Sequence, residues 1–153
     1  MTHRSILLKI YRRLNECYGP QHWWPADSSF EVMVGAILTQ NTSWANVEKA
    51  INNLKEVDAL NIHTLIELSE ENLAKLIRPS GYFNIKSKRL KNFAHWFETE
   101  GRFNRLKELD DQTLRKRLLK VNGIGPETAD DILLYAFERP VFVIDTYTRR
   151  LFK

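Results

Sequence analysis

The sequence contains a single cysteine, Cys17, and only four histidines, which are scattered along the chain. One thiol excludes an internal disulfide, and histidines without ligand spacing argue against a metal site within this chain. Apolar runs long enough to span a bilayer are also missing, and the first residues lack the pattern of a secretory signal peptide. A cytoplasmic protein without membrane association is therefore expected.

Strand patterns are scarce as well, and only residues 139–144 read as an extended segment. The composition, with 43% hydrophobic and 27% charged residues, is typical of a folded globular domain. Apolar residues recur at helical spacing almost throughout the chain, which predicts an all-α fold with short loops. The helices are predicted over residues 6–18, 30–38, 44–57, 61–68, 70–78, 84–99, 110–121 and 126–138, with the start of a further helix at 146.

Basic residues are in modest excess, 23 against 19 acidic residues, for a formal net charge of +4. They concentrate in three runs, at residues 86–91, 115–120 and 149–153. Any one run is explained by a solvated helix face. Three separated runs, one of which leads directly into a glycine turn, favour a nucleic-acid partner.

That turn lies in VNGIGPETAD, residues 121–130, where Gly123 and Gly125 flank Ile124. Pro126 suits the first position of the helix that follows. Bare amides at the positive end of a helix form an anion site that suits a phosphate. A plain helical hairpin would also use glycines here. The apolar residue between the glycines and the small Ala129 favour a clamp on the DNA backbone.

VNGIGPETADDILLYAF followed by FVIDT resembles the helix-hairpin-helix and Gly/Pro-Asp signature of the endonuclease III superfamily of DNA glycosylases. GAILTQNTSW and SGYFNIKSKRL resemble two further segments of that family, so that the resemblance covers most of residues 28–150. It implies a helical glycosylase fold with a six-helix-type barrel. Residues 1–27 would form an N-terminal helix and aromatic loop, 28–138 the barrel with its helix-hairpin-helix at 111–138, and 139–153 an aspartate-bearing loop and the start of the next helix. The last helix lacks a stop signal, so the chain is expected to continue, and the N-terminal helix to pack on helices beyond residue 153.

The resemblance assigns catalysis to Asp145, whose carboxylate would stabilise positive charge on the sugar. A helix N-cap would account for the same aspartate, and both roles are compatible. Glu127 occupies the position at which strand-cutting family members carry a lysine that forms a Schiff base. The resemblance therefore implies a monofunctional glycosylase, although an acidic residue in a first helical turn is also favourable by itself.

The resemblance also implies how DNA is held. Backbone contacts are expected from Gly123, Ile124, Gly125, Lys120 and Lys86. Gln40 would enter the gap left by the extruded base, and Tyr82 would act as a second wedge. The alternative for Gln40 is a helix-end residue bonded to nearby backbone. The alternative for Tyr82 is a half-buried core aromatic.

HWWP, LTQNTSW and RPSGYFN resemble the bacterial 3-methyladenine glycosylase branch, in which Trp23, Trp24 and Trp44 would line the base pocket. Aromatic walls favour a cationic base such as an alkylated purine. Core packing is the alternative for Trp23 or Trp24. The expected function is excision of an alkylated purine in base excision repair; the other possibilities are a glycosylase for an oxidised or mismatched base and a non-catalytic DNA-binding module.

The expected partner is double-stranded DNA with a damaged base, bound by a monomer. No cofactor is expected within these residues. The resemblance leaves room for an iron–sulfur cluster in a region beyond Lys153, and for a monovalent cation at the hairpin turn.

Overall fold

The computed structural model describes residues 3–152; residues 1, 2 and 153 of the predicted terminal regions lie outside the described part. Within it the chain forms ten α-helices and no β-strand, which confirms the all-α prediction. No helix there is both long and apolar enough to cross a membrane. The helices are α1 (His3–Tyr18), α2 (Ser29–Leu38), α3 (Trp44–Glu56), α4 (Ile62–Glu67), α5 (Glu70–Leu76), α6 (Phe83–Thr99), α7 (Arg102–Leu106), α8 (Asp111–Leu118), α9 (Pro126–Asp131) and α10 (Thr146–Leu151).

Helix α2 lies at the centre of the barrel. Its residues 31–38 are all buried, because apart from Glu31, which pairs with Lys55, they are apolar on every side of the helix and must be enclosed by other elements. It packs against α3, α6, α9 and the π-helical stretch Ile132–Ala136, which continues α9. This arrangement places the C-terminal end of α2 beside the glycine turn.

Helix starts follow the polar residues that the sequence offers as caps. The Ser28 hydroxyl accepts a hydrogen bond from the Glu31 N–H at 3.2 Å, and the Ser69 hydroxyl accepts one from the Asn72 N–H at 3.2 Å. These bonds satisfy amides that have no partner within their own helix. The short helix α7 was not predicted, since five residues are too few to show helical periodicity.

Helix α1 buries none of its residues, although it is amphipathic. Its apolar side and the end of α10 border a cavity of about 380 Å³, lined by His3, Ile6, Leu7, Ile10, Leu151 and Phe152. That this helix packs on further helices beyond residue 153 stays a prediction.

Candidate nucleic-acid interface and active site

The turn between α8 and α9 is anchored in the core by Ile124. Its side chain is 5% exposed, and its N–H donates to the Val121 carbonyl at 3.0 Å. Because both the side chain and the amide are occupied by the protein, the prediction that Ile124 contacts DNA is corrected. Ile124 holds the turn in place, and the flanking residues are left to face solvent.

The two glycines of the turn differ in their reason for being glycine. Gly123 has a φ of +100°, and a Cβ there would lie 2.2 Å from Cγ of Arg89. Gly125 has an ordinary φ of −89° and no atom within 4 Å of a built Cβ. No group in residues 3–152 accepts a hydrogen bond from either N–H. Gly123 is therefore required by the fold, whereas Gly125 leaves an open approach to the N-terminus of α9.

Gln40, in the loop after α2, is bonded to this turn. Its Nε2 donates to the Gly123 carbonyl at 3.0 Å and to Oγ1 of Thr128 at 2.9 Å. Its Oε1 accepts from the Arg89 guanidinium. This geometry agrees with the bonded helix-end alternative. Insertion of Gln40 into DNA would require these bonds to break, and it stays a prediction. Arg89 was counted only as one member of a basic run, and its support of both the turn and Gln40 was missed.

Tyr82 stands at the start of α6 in the left-handed region, with a φ of 47° and a side chain 66% exposed. Aromatic residues rarely adopt this conformation, and such strain persists where the surrounding structure enforces it. The alternative of a half-buried core aromatic is therefore wrong. Its predicted insertion into DNA remains a prediction.

Lys86 is buried, with 1% of its surface exposed. Its ammonium donates to the Leu38 carbonyl at 2.7 Å and to the Ser80 carbonyl at 2.6 Å. Burial, with a smaller effect of Arg89, lowers the pKa of Lys86 to about 8. The predicted contact between Lys86 and the DNA backbone is therefore wrong. Lys86 instead joins the end of α2 to the turn that presents Tyr82.

The second basic run is partly used inside the protein. Arg115 forms an ion pair with Asp130 at 2.7 Å, and Arg117 forms one with Glu100 at 2.5 Å. Lys120 is exposed beside the glycine turn. The contact of Lys120 with the DNA backbone stays a prediction. The two paired arginines lie on a helix face, which is the alternative given above for a single basic run.

Asp145 is the N-cap of α10. Its Oδ1 accepts a hydrogen bond from the Thr148 N–H at 2.7 Å. Hydrogen bonds from the Thr148 amide and hydroxyl lower the pKa of this carboxyl group, so that it is ionised at neutral pH. The capping role expected from the sequence is thus present, together with the charge state that catalysis would need.

Glu127 lies in the first turn of α9, close enough to Asp145 for their charges to interact. Although the residue is exposed, partial desolvation raises the pKa of Glu127, Asp145 raises it further, and Arg149 opposes both. The two residues that were expected to define the chemistry therefore share one site.

Asp131 is a member of this site that sequence reasoning missed. It lies one turn after Glu127, is 9% exposed, and has no hydrogen bond from its carboxyl group within the described chain. Burial raises its pKa to about 7, with Glu127, Asp145 and Asp130 adding to the effect. Glu127, Asp131 and Asp145 are called the acidic cluster below. Its signal was the spacing of Glu127 and Asp131, which puts two carboxyl groups on one face of a helix.

The predicted tryptophans come together beside this site. Trp24 contacts Trp44 edge-on at 5.4 Å between ring centroids and Tyr135 at 5.0 Å. Trp23 lies 6.3 Å from Trp44 and is 61% exposed, so it is not a core residue. Trp24 and Trp44 line a cavity of about 220 Å³, but no member of the acidic cluster lines it. The link to the cluster runs through Tyr135, whose pKa is raised by burial and by the charges of Asp131 and Asp145.

A comparison with protein families identifies this arrangement. The model of the HhH-GPD superfamily base excision DNA repair proteins matches residues 34–153, which include the glycine turn and Asp145. The chain belongs to this superfamily. The resemblance seen in the sequence is thereby confirmed, and with it the helical glycosylase fold.

Individual relatives of this HhH-GPD chain support the same assignment to the superfamily. A provisionally named DNA repair glycosylase of Methanocaldococcus jannaschii is 51% identical over 97% of the chain and 69% of its own length. Endonuclease III of Thermotoga maritima is 30% identical over 80% of the chain, which spans 54% of that protein. H. pylori 3-methyladenine DNA glycosylase, solved with 1,N6-ethenoadenine, is 34% identical with a TM-score of 0.76, over 92% of this chain and 68% of that one. An endonuclease III–DNA complex matches the fold over the whole chain and 69% of its own, with a TM-score of 0.80 at 21% identity.

Proposed function

We propose that this HhH-GPD protein is a monofunctional DNA N-glycosylase that hydrolyses the bond between an alkylated purine and its deoxyribose. The observation that carries the proposal is the pairing of an ionised Asp145 with Glu127 at one site. The first residue supplies charge for base release. The second replaces the amine that strand cleavage through a Schiff base requires.

Base release follows from the charge of Asp145. When the bond between C1′ and the base nitrogen breaks, the base leaves with the bonding electron pair and positive charge develops on the sugar. The Asp145 carboxylate, held by the Thr148 N–H at 2.7 Å, is aimed and charged before the reaction begins. Water then adds its oxygen to C1′ and releases a proton, so the product is an abasic site in an intact strand.

Neither of the two lysines that were assigned to the DNA backbone replaces the missing nucleophile. Lys86 is buried and committed to two backbone carbonyls. Lys120 is exposed, but it precedes the glycine turn and lies outside the acidic cluster. Its position suits contact with a phosphate, together with the open N–H of Gly125 at the positive end of α9. The DNA backbone would then be held on one side of the turn and the sugar on the other.

An alkylated purine is the substrate class that fits the surroundings of Asp145. Such a base carries a positive charge and leaves as a neutral molecule, so it needs no acid to protonate it. The acidic cluster attracts that charge, and the rings of Trp24, Trp44 and Tyr135 offer faces for cation–π contact. A module that only binds DNA would need Asp145 only as the N-cap of α10, a role that asparagine can also fill.

The test is release of free bases from methylated double-stranded DNA, identified by chromatography. The wild-type protein should release 3-methyladenine or another N-methylpurine, and Asp145→Asn should release none while still binding DNA that contains an abasic site. Because asparagine can keep the N-cap hydrogen bond to Thr148, α10 should remain folded in the variant. Wild-type rates from Asp145→Asn would overturn the assignment of Asp145.

A further inference from the structure

Helix α6 carries a lysine that is turned into the protein, although it belongs to a basic run. Lys86 is almost completely buried, and its ammonium donates to the carbonyls of Leu38 and Ser80 at 2.7 and 2.6 Å. Burial of an ammonium costs free energy that its hydrogen bonds must offset. An apolar side chain of similar size would fill the same space without this cost. The reason for a lysine must therefore lie in the two carbonyls that it binds.

These two carbonyls lie at equivalent places in two loops that are expected to face DNA. Leu38 is the last residue of α2 and precedes Gln40 by two residues, and Ser80 precedes Tyr82 by two residues. The last carbonyls of a helix have no partner within that helix, and a cation at this end is favourable. The Lys86 ammonium therefore ties both loops to one point on α6, just before the residue that each loop presents.

The turn that presents Tyr82 needs such support, because its backbone is unfavourable. Gly81 and Tyr82 follow one another with positive φ, 68° and 47°. For a residue with a side chain this conformation costs about 1–3 kcal/mol, and it persists where neighbouring contacts enforce it. The Ser80 hydroxyl donates to the Ile77 carbonyl at 2.7 Å, and the Ser80 carbonyl accepts from Lys86. The chain is thus fixed directly before its two left-handed residues.

Arg89 makes a second connection from the same helix, one turn further on. Its guanidinium donates to Oε1 of Gln40, whose Nε2 donates onward to the Gly123 carbonyl at 3.0 Å. The carbons of the Arg89 side chain lie against the glycine turn, where a Cβ on Gly123 would be 2.2 Å from Cγ of Arg89. Lys86 and Arg89 together therefore connect α6 to three segments that are expected to meet DNA: the Gln40 loop, the Tyr82 turn and the glycine turn.

We propose that Lys86 and Arg89 are positioning residues for extrusion of the damaged base, because they hold the Gln40 loop, the Tyr82 turn and the glycine turn as one unit. They act through these segments and not as ligands of the phosphates. While the glycine turn binds the DNA backbone, Gln40 and Tyr82 keep a fixed place relative to it, so the duplex is opened at the nucleotide whose sugar reaches the reaction site. The inference rests on the proposed glycosylase function and on the predicted entry of Gln40 and Tyr82 into the duplex.

The experiment compares Lys86→Met and Arg89→Met with Lys91→Met as a matched control. Each change removes a basic group of α6 and keeps an unbranched apolar side chain. The Lys91 ammonium donates to the Ile66 carbonyl at 2.6 Å, so its loss removes a bond of the same kind, but one that joins α6 to α4. Because Lys86→Met is expected to lose stability, Arg89→Met, which replaces a partly buried residue, provides a test that does not depend on it.

Three quantities are measured at a temperature at which circular dichroism shows every variant to be folded. The first is single-turnover release of 3-methyladenine from methylated duplex DNA at saturating protein. The second is the fluorescence of 2-aminopurine placed beside an abasic site, which rises when a side chain enters the duplex and unstacks it. The third is affinity for undamaged duplex DNA, which reports on contacts with the backbone alone.

Lys86→Met and Arg89→Met should each slow base release by about tenfold or more, since a misplacement of about 1 Å at the reacting atoms costs on the order of a hundredfold. Both should also reduce the rise in 2-aminopurine fluorescence and leave the affinity for undamaged DNA unchanged. Arg89→Lys, which keeps a charged donor, should recover part of the rate and of the signal. Lys91→Met should keep the wild-type rate and signal.

The possible failures are distinguishable. Wild-type release and fluorescence from Arg89→Met and Lys86→Met would overturn the positioning role while the proposed glycosylase function stands. Weaker binding to undamaged DNA with an unchanged rate at saturation would make these residues ligands of the backbone, and an equal loss of rate in Lys91→Met would show a general effect of loosening α6; either result overturns the inference. If the wild-type protein releases no methylated purine, the proposed function fails, and the 2-aminopurine signal still decides the role of the two residues.

Discussion

Replacement of Asp131 by asparagine should make the protein more stable at pH 8, although the variant removes a group from the active site. The carboxyl group has a pKa of about 7 in the folded protein, against an ordinary value of 3.8. Between these two pH values the folded state holds a proton that the unfolded chain has lost. Stability must therefore fall as pH rises through this window, and the loss is complete above pH 7.

The size of the effect follows from the same two values. Each pH unit of the window costs about 1.4 kcal/mol, so a window of about three units costs about 4 kcal/mol at pH 8. Asparagine does not ionise, but its largely buried amide is still partly desolvated, which costs about 1–3 kcal/mol. The expected net gain for Asp131→Asn is therefore about 1–3 kcal/mol at pH 8. It should shrink as pH falls and be gone well below pH 3.8, where the aspartate is neutral in both states and only the cost of the amide is left.

Urea unfolding followed by circular dichroism at several pH values measures this difference. The difference between Asp131→Asn and wild type cancels the titration of other groups. Asp130→Asn is the control, because it breaks an ion pair with Arg115 and should lower stability at every neutral or alkaline pH. A stability difference between Asp131→Asn and wild type that does not change with pH would refute the reasoning.

Further predictions concern the turn, the buried lysine and the missing nucleophile. Gly125→Ala should keep the wild-type melting temperature but bind DNA more weakly in gel-shift titrations, whatever the lesion. Gly123→Ala should lose about 1–2 kcal/mol of stability or more, because of the positive φ of Gly123 and its contact with Arg89. Equal loss of stability in both variants would contradict this distinction. Lys86→Met should destabilise the fold by about 2–4 kcal/mol in urea titrations, since the Leu38 and Ser80 carbonyls lose a charged donor. An unchanged midpoint of urea unfolding would show that these two hydrogen bonds contribute nothing to stability. Borohydride should trap no adduct of the wild-type protein with abasic-site DNA, whereas Glu127→Lys should produce one; a trapped band from the wild type would place a nucleophilic amine at the site.

The helices and their starts could be predicted because they depend on local signals. Serine caps, apolar periodicity and the glycine turn act over a few residues, and the structure has such caps at Ser28 and Ser69. The N-cap role of Asp145 was foreseen for the same reason. Membership of the HhH-GPD superfamily was also visible, because its signature is contiguous in sequence.

The failures share a different cause, which is distance along the chain. Lys86 looked like one member of a solvated basic run, and only the packing of α6 against the end of α2 brings it to the Leu38 carbonyl. The partners of Gln40 could not be named from the sequence, because the hairpin that supplies them lies more than eighty residues later. Asp131 was missed, because it directly follows Asp130 and only the rotation of the helix decides which of the two is buried.

The central claim is that this site removes a base and leaves the strand intact, since Asp145 is ionised and Glu127 stands in place of a lysine. It is tested most directly by incubating the protein with methylated duplex DNA and following both products, the free base and the length of the DNA strand before and after alkaline treatment. The account predicts free N-methylpurine, full-length strands without alkali and cleaved strands after it. Strand cleavage without alkali, or intact strands under both conditions, would contradict it.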